Sequence, residues 1–277
     1  RLPSAKKSQK YKVDVDIKNI KTFDGNLGSR LWGSIHSNGK KYDLISMRLT
    51  MVRPSARTFL YYNKKKLRFY SEDISSAYSM LSGTNPTKGG RIGMVGDVDE
   101  KGIIKGNVSL TDINVLDVPE STRLLKLFSV VGIFDALQSK TLEFKSIRGK
   151  FSLKDGVYST ENISALGKTI AVSAKGNINI NDSTLDLKGM ILPSYKLGSV
   201  IKDIPIIGQI ISGADGQGPI TQKYTAKGTF EDYEVKVDST GLFTLGILRN
   251  VFDVFTSSDE VPVIFDDEQS SNENQED

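Results

Sequence analysis

The stretch Ile170-Ala171-Val172-Ser173-Ala174-Lys175-Gly176-Asn177-Ile178-Asn179-Ile180 decides the fold, because apolar and polar positions alternate along it. A period of two places successive side chains on opposite sides of a β-strand. The turn signal Asn181-Asp182-Ser183 follows, and the alternation resumes over residues 184–191. These stretches predict paired strands in a sheet with one wet face and one apolar face that something must cover.

Outward from this stretch, the same alternation predicts strands over most of the chain. They are expected near 13–18, 31–35, 45–51, 57–62, 65–71, 91–97, 103–115, 141–153, 157–165, 168–180 and 183–193, with two more after residue 213. Asn85-Pro86 and Gly89-Gly90 predict a loop. Glycines in or beside the strands allow a sheet to bend strongly, and they are Gly106, Gly149, Gly156, Gly176, Gly189 and Gly228.

Apolar spacings of three and four predict a few amphipathic helices between the strands. A short helix is expected over 72–82, a longer one over 121–138 and another over 242–255. The segment 197–213 is almost wholly apolar but too short to span a bilayer, so it predicts a short buried or interfacial helical segment.

Composition argues against most catalytic sites. The chain has no cysteine and one histidine, which removes thiolate sites and leaves little for zinc or Ser-His-Asp chemistry. His36 is expected in an exposed turn at a strand end. Phosphate-binding glycine loops and nucleophile elbows are absent from the sequence. We therefore expect no enzyme activity, no metal and no cofactor.

Charge is distributed unevenly along the chain. Residues 259–277 hold eight of the 33 acids and no base, which leaves a body of net charge +12. Such a body favours anionic surfaces, either lipid headgroups or nucleic acid. Lys64-Lys65-Lys66 lies between Tyr61-Tyr62 and Phe69-Tyr70, and a hairpin turn of solvated lysines is expected there. The expected organisation is a flexible start at 1–10, a β-rich domain at 11–256 and a disordered acidic tail at 257–277.

Several short segments occur in a specific order between residues 106 and 255. Leu192-Pro193-Ser194-Tyr195 is followed by Ile204-Pro205-Ile206-Ile207-Gly208, then by Tyr224-Thr225-Ala226-Lys227-Gly228, and Leu248-Arg249-Asn250-Val251-Phe252 closes the series. In this order the region resembles the C-terminal part of the AsmA-like family, in its YhdP-type branch. Residues 1–105 are compatible with that family without carrying its segments.

The resemblance implies a Gram-negative envelope protein with its β-rich body in the periplasm and an inner-membrane anchor upstream of residue 1. It also implies an elongated, bent sheet whose concave apolar face carries phospholipid acyl chains between membranes. Together with the alternation, this predicts a mainly β fold: a long, curved antiparallel sheet with an apolar concave groove and a few amphipathic helices.

We therefore expect a lipid-binding and lipid-transfer module that meets phospholipids and membrane surfaces, with no nucleic acid. The groove floor is expected to comprise Ile170, Val172, Ile178, Ile180, Leu185, Leu187 and Ile191. The groove end is expected to be lined or plugged by Leu124, Leu127, Phe128, Val131 and Phe134. The insert is expected in the groove or at a membrane through Ile204, Ile206, Ile207, Ile210 and Ile211, and headgroups are expected at Lys126 and Arg249.

Two other interpretations fit the residues. Two apolar strand faces could instead close on each other as a β-sandwich, acting as a scaffold or partner-binding domain of the envelope without lipid transfer. A weaker alternative is a hydrolase of envelope polymers, although nothing in the sequence nominates a pair of catalytic carboxylates.

Overall fold

A computed structural model describes residues 9–21, 27–53, 55–82, 86–116, 141–168, 170–193 and 222–238. Those residues form thirteen strands and one helix. In chain order they are β1 (Tyr11–Lys21), β2 (Leu27–Ser37), β3 (Tyr42–Arg53), β4 (Ser55–Asn63), β5 (Lys66–Ser71), α1 (Ile74–Ser82), β6 (Thr87–Val98), β7 (Ile104–Val115), β8 (Leu142–Lys154), β9 (Val157–Gly167), β10 (Ile170–Asn179), β11 (Thr184–Pro193), β12 (Gln222–Thr229) and β13 (Tyr233–Asp238).

All thirteen strands belong to one antiparallel sheet in which each strand pairs with the next along the chain. The order runs from β1 to β13 without a crossover, and β1 does not pair with β13, so the sheet is open. At roughly 4.8 Å between neighbouring strands, a sheet of this kind extends about 58 Å across its strands. The predicted mainly β, antiparallel fold is confirmed, and the helix expected over 72–82 is present as α1.

The loop predicted at Gly89 and Gly90 is wrong, because both residues lie inside β6. Their φ angles are 73° and 90°, a left-handed conformation that glycine adopts without a steric penalty. Pairing with β7 passes from Gly89 opposite Ile113 to Arg91 opposite Thr111, so the register is unbroken and Gly90 faces Asp112, whose φ of 54° is also positive. Glycine here permits a left-handed kink within the strand, and the strand continues.

Two further local predictions differ from the structure. His36 lies within β2, not in an exposed turn, and its Nε2 atom is buried with no hydrogen-bond partner in the described part of the chain. Ile180 lies one residue beyond β10, in the turn, where 60% of the residue is exposed. Its backbone N–H donates to the carbonyl of Gly156 at 2.9 Å, so the turn ends the alternation one residue early.

Candidate functional site

One row of residues crosses the whole sheet in register. Each member is the pairing partner of the next, and every member is apolar, glycine or tyrosine. From β1 to β13 the row reads Val15, Gly33, Met47, Leu60, Phe69, Met94, Val108, Gly149, Ile163, Ala174, Gly189, Tyr224 and Val237. Residues directly opposite each other point to the same side of a sheet. We call this side the inner face and the other side the outer face.

The row carries no charged side chain on any of the thirteen strands. Polar groups beside it include hydroxyls, and several of these are already hydrogen-bonded. Ser71 is fully buried, with its Oγ 2.8 Å from the hydroxyl of Thr58. The Thr160 hydroxyl donates to the carbonyl of Lys150 at 2.7 Å. The inner face is therefore apolar along this row across all thirteen strands, and these hydroxyls do not need water.

Glycines on the inner face show which way the sheet bends. A Cβ built on Gly189 would overlap the carbonyl oxygen of Ser173 in β10, and one built on Gly106 would overlap that of Val95 in β6. In a flat sheet the neighbouring carbonyl lies in the sheet plane, away from Cβ. The overlap means that the neighbouring backbone is folded up onto the inner face. The inner face is therefore concave at these strands, and side chains larger than hydrogen are excluded from the crease.

The groove formed in this way has two unlike rims. The three longest connections, residues 72–86, 116–141 and 194–221, all leave and re-enter the sheet at the same ends of the strands, which we call the insert rim. The opposite ends are joined by turns of two to five residues, and we call them the hairpin rim.

Helix α1 covers the insert rim in the first half of the sheet. The buried residue Ala77 of α1 packs with Met51 and Ala56, at the turn between β3 and β4. Farther along the helix, the Cε atom of Met80 lies over Gly28 in β2. A buried hydroxyl also fixes the helix, since Ser75 donates to the carbonyl of Gly89 at 2.6 Å. Helix α1 thus covers the insert rim of the groove in this half of the sheet.

A buried apolar cluster occupies the insert rim in the second half. Leu142, Ile170 and Ile191 form its core, with exposures of 9%, 2% and 4%. The partly buried residues packed against it all belong to the inner face, and they are Val115, Phe144, Val172, Tyr224, Val235 and Val237. Tyr224 lies over Gly189 and donates its hydroxyl to the carbonyl of Ser173 at 3.0 Å. Burial raises the pKa of Tyr224 to about 12, so this hydroxyl stays protonated.

The hairpin rim is more accessible. Ile178, Leu185 and Leu187 are half-buried, whereas Phe230 in the last turn is 45% exposed. On the inner face of the edge strand β1, Tyr11 and Val13 lie near this rim and are 45% and 44% exposed. Aromatic packing continues inside this rim, where Tyr158 stacks on Phe151 with ring centroids 5.6 Å apart. Apolar side chains without full cover are a typical feature of a binding surface.

The outer face carries the charges. Arg30 pairs with Asp16 at 2.7 Å, Lys227 with Asp186 at 2.7 Å and Lys145 with Asp112 at 3.3 Å. A recess of about 590 Å³ on the second half of this face is lined by the lysines Lys175, Lys188 and Lys223 together with Glu161, Asn162 and Thr225. Lys175 lies directly opposite Lys188, which is an unfavourable placement of like charges.

Six of the seven residues predicted for the groove floor lie on the inner face. Ile170, Val172, Ile178, Leu185, Leu187 and Ile191 do share the inner face, as the register of β10 and β11 shows. However, Ile170 and Ile191 are buried in the insert-rim cluster, and Ile180 lies in a turn. Of the predicted set, the accessible part of the inner face therefore comprises Ile178, Leu185 and Leu187. That these residues contact lipid stays a prediction.

Other predicted sites lie outside the described residues. These are Leu124, Leu127, Phe128, Val131 and Phe134, the insert residues Ile204, Ile206, Ile207, Ile210 and Ile211, and the headgroup residues Lys126 and Arg249. The acidic tail at 257–277 and most of the start at 1–10 also lie outside them.

The first seven strands supply inner-face residues that the sequence analysis left out of the site. Met47, Leu60, Phe69 and Met94 stand in the same row as Gly189 and Tyr224. Their alternation was visible in the sequence, and it predicted the strands correctly. Only the register, which joins the strands pair by pair, shows that these faces form one surface.

Within the described ranges, no three His, Asp or Glu side chains come together as a possible metal site. No helix among the same residues is long and apolar enough to cross a membrane.

Comparison with known proteins gives one finding. A family model described as YhdP protein matches residues 6–235, which is more than four fifths of the chain. The match begins a hundred residues upstream of the region in which the sequence analysis placed the resemblance, so it includes the first seven strands. Neither the curated proteins nor the solved structures gave a match.

Proposed function

The chain belongs to the YhdP family, and from this premise we propose that its inner face carries the acyl chains of phospholipids between the two membranes of the envelope. The family is one of bacterial cell-envelope proteins related to lipid transport. The proposal adds a periplasmic location, an inner-membrane anchor in the full-length protein, and a role in transfer without enzyme activity.

The uncharged row across the inner face is the observation that carries this proposal. An unbroken apolar row over thirteen strands gives an acyl chain equivalent surroundings at each strand, so moving along the groove needs no specific partner. Burial of apolar surface contributes roughly 25 cal/mol per Å², which acyl chains supply in large amounts. A single charged side chain in the row would break this path, and none occurs on the described strands.

The concave shape supports the same function. Ligand sites are usually concave, mostly apolar and already formed in the free protein. The sheet bends toward its inner face at Gly106 and Gly189, where the crease excludes side chains. The closed sandwich needs two stacked sheets, whereas the described strands form one open sheet. The lipid conduit is therefore favoured over the scaffold.

A test places charges in the accessible part of the inner face. In the variant Ile178→Asp with Leu187→Asp, two half-buried apolar side chains of adjacent strands become carboxylates. We expect the purified wild type to carry phospholipid, seen by mass spectrometry of organic extracts. The variant should lose most of this lipid, because a carboxylate is costly to desolvate against an acyl chain.

The matched control carries the same two charges on the outer face. Ser159 and Thr225 lie on the neighbouring strands and point away from the groove. Ser159→Asp with Thr225→Asp should load lipid as the wild type does, and circular dichroism should show that both variants are folded. A wild type that extracts without lipid and binds no fluorescent phospholipid would rule the conduit out.

A further inference from the structure

The lysine run 64–66 has no role in an acyl-chain groove, yet its position is informative. Lys64 and Lys65 form the turn between β4 and β5 at the hairpin rim, and both are exposed. The neighbouring turn between β2 and β3 adds the exposed residues Lys40 and Lys41. The Nζ atom of Lys41 reaches the turn between β6 and β7, where a Cβ on Gly102 would lie 3.5 Å from it. Cations from two turns thus flank the accessible rim.

Tyrosines mark the same rim on the inner face. Five strands have a tyrosine as their last inner-face residue at the hairpin rim, namely Tyr11, Tyr42, Tyr62, Tyr158 and Tyr233. At the insert rim, no described strand has a tyrosine at the corresponding terminal position. A tyrosine combines an apolar ring with a polar hydroxyl, and it therefore suits a boundary between an apolar and a wet region.

The rim tyrosines and the lysine-bearing turns occur together over the first half of the sheet. Tyr11, Tyr42 and Tyr62 end β1, β3 and β4 on the inner face, and the lysine-bearing turns follow β2 and β4. The side chains of Tyr11 and Tyr42 are hydrogen-bonded to each other, and this bond holds both tyrosines at the rim. An apolar surface, a line of hydroxyls and a group of cations therefore follow one another in this order.

Local acids do not neutralise these lysines fully. Lys64 pairs with Asp43 at 3.0 Å, and Asp99 accepts from the backbone N–H groups of Lys101 and Ile103, at 2.9 Å each. No ion pair joins Lys40, Lys41 or Lys65 to a described residue. Three ammonium groups thus remain available at this part of the rim.

The second half of the hairpin rim has the opposite charge. Its turns carry the acids Asp155, Asp182, Glu231 and Asp232, and none of these turns contains a base. A phosphate group would be attracted to the first half of the rim and repelled by the second. The same groove therefore has one end suited to an anionic headgroup.

We infer that the hairpin rim over β1–β5 binds the phosphate headgroup of a phospholipid whose acyl chains lie on the inner face. The hydroxyls of Tyr11, Tyr42 and Tyr62 stand at the apolar boundary, and Lys40, Lys41 and Lys65 meet the phosphate. This inference rests on the proposed function, since it names the headgroup class and the part of the rim that holds the headgroup.

The test compares two lipids with the same acyl chains, of which only one has a phosphate-containing headgroup. Binding of phosphatidylglycerol and of diacylglycerol with the same fluorescent chains is measured for the wild type and for Lys40→Gln, Lys41→Gln, Lys65→Gln. We expect the variant to bind phosphatidylglycerol about tenfold more weakly, because each exposed charge contributes modestly and three are removed. Diacylglycerol binding should be unchanged.

The control variant removes three outer-face lysines instead, in Lys105→Gln, Lys150→Gln, Lys175→Gln. It has the same net charge as the test variant, and we expect it to bind both lipids as the wild type does. An equal loss for both lipids in the test variant, or no loss, would overturn the headgroup site while leaving the acyl-chain groove in place. Failure of the wild type to bind either lipid would instead remove the proposed function.

Inorganic phosphate separates a lipid headgroup from a free anion. Added at the same concentration as the lipid, it should not displace phosphatidylglycerol, because it has no chains to bury. Displacement at equal potency would assign the rim to free phosphate and overturn the lipid assignment.

Discussion

The two rims of the groove are built from the same strands but differ in cover. Close to the insert rim, Met51 and Ile170 are 4% and 2% exposed, whereas Val13, close to the hairpin rim, is 44% exposed and Ile178 is half-buried. The strands alternate in the same way at both ends. The difference therefore arises from the connections, which at one rim include α1 and at the other are short turns.

This difference gives the groove one closed and one accessible side. A long sheet with an uncovered apolar face is an aggregation hazard, and covering one rim reduces the area at risk. At the other rim, tyrosine hydroxyls and charged turns separate the apolar surface from water. Closing one rim and lining the other with amphipathic residues is thus a way to keep an apolar surface accessible while limiting its contact with water.

Both rims depend on the crease that lies between them, where the sheet bends. We expect the loss of this crease to cause the largest decrease in the free energy of unfolding. Gly189→Ala places a methyl group where the carbonyl oxygen of Ser173 lies, so β10 and β11 must separate. We expect a loss on the order of 4 kcal/mol in the free energy of unfolding, measured by urea denaturation. Gly102→Ala, in an open turn, is the control and should cost about 1 kcal/mol for its positive φ. Equal costs would mean that the sheet is flat at Gly189.

Burial differs between the two rims. Truncating the same residue type at the two ends of one strand should therefore lower the free energy of unfolding by different amounts. Ile170→Ala, in the insert-rim cluster, should lower the free energy of unfolding by about 3 kcal/mol through lost burial and a cavity. Ile178→Ala, at the hairpin rim of the same strand and face, should cost about 1 kcal/mol. Urea denaturation of both variants measures the difference. Similar losses would show that both rims are packed alike.

The closure of the insert rim by α1 depends on a buried polar contact as well as on apolar packing. The Ser75 hydroxyl donates to the carbonyl of Gly89 and lies 2.8 Å from the Thr87 hydroxyl. Ser75→Ala should cost about 1–2 kcal/mol in unfolding free energy, because it removes the partner of two half-buried groups, the Gly89 carbonyl and the Thr87 hydroxyl. Hydrogen exchange should show faster opening of α1, with β11 unaffected. Unchanged exchange in α1 would mean that apolar packing alone holds the helix.

Sequence reasoning predicted the strands because every inner-face strand alternates with period two, a local property. It also predicted the bend from glycines such as Gly106 and Gly189, since glycine in a strand has few other uses. It failed at Gly89 and Gly90, because the same residue type allows both a loop and a left-handed kink inside a strand. Which of the two forms depends on pairing with β7, which is not local.

The candidate site was predicted less completely than the fold. Burial of Ile170 and accessibility of Ile178 cannot be told apart from alternation, because both residues have the same phase in the same strand. The tyrosines at the hairpin rim are spread over more than two hundred residues of sequence, and only the register brings them to one edge. The length of the connections between strands was the signal that could have separated the two rims, because long connections mark the rim that the chain can cover.

The smallest expected effect concerns the entry to α1 at the insert rim. Glu72 accepts from the backbone N–H and the guanidinium of Arg57, at 2.8 Å each, and these bonds hold the chain where it leaves β5. The side-chain hydrogen bond from Arg57 is the main cause that lowers the pKa of Glu72 below 4.5. A carboxylate with a lowered pKa stabilises the fold above its unfolded pKa, and the contribution is lost as pH falls through the folded value.

Glu72→Gln should therefore lower the unfolding free energy at pH 7 by about 0.5 kcal/mol, a small value because half of the Arg57 side chain is exposed and solvent screens the pair. At pH 3 the difference should be smaller than at pH 7, because the carboxyl loses its charge as pH falls through its lowered pKa. Glu100→Gln, in an exposed turn at the hairpin rim, is the control and should have no effect at either pH. Urea denaturation at both pH values measures these differences. A loss of the same size at pH 3 would show that Glu72 acts through the neutral hydrogen bonds of its side chain, and the charge would then have no part in anchoring the helix.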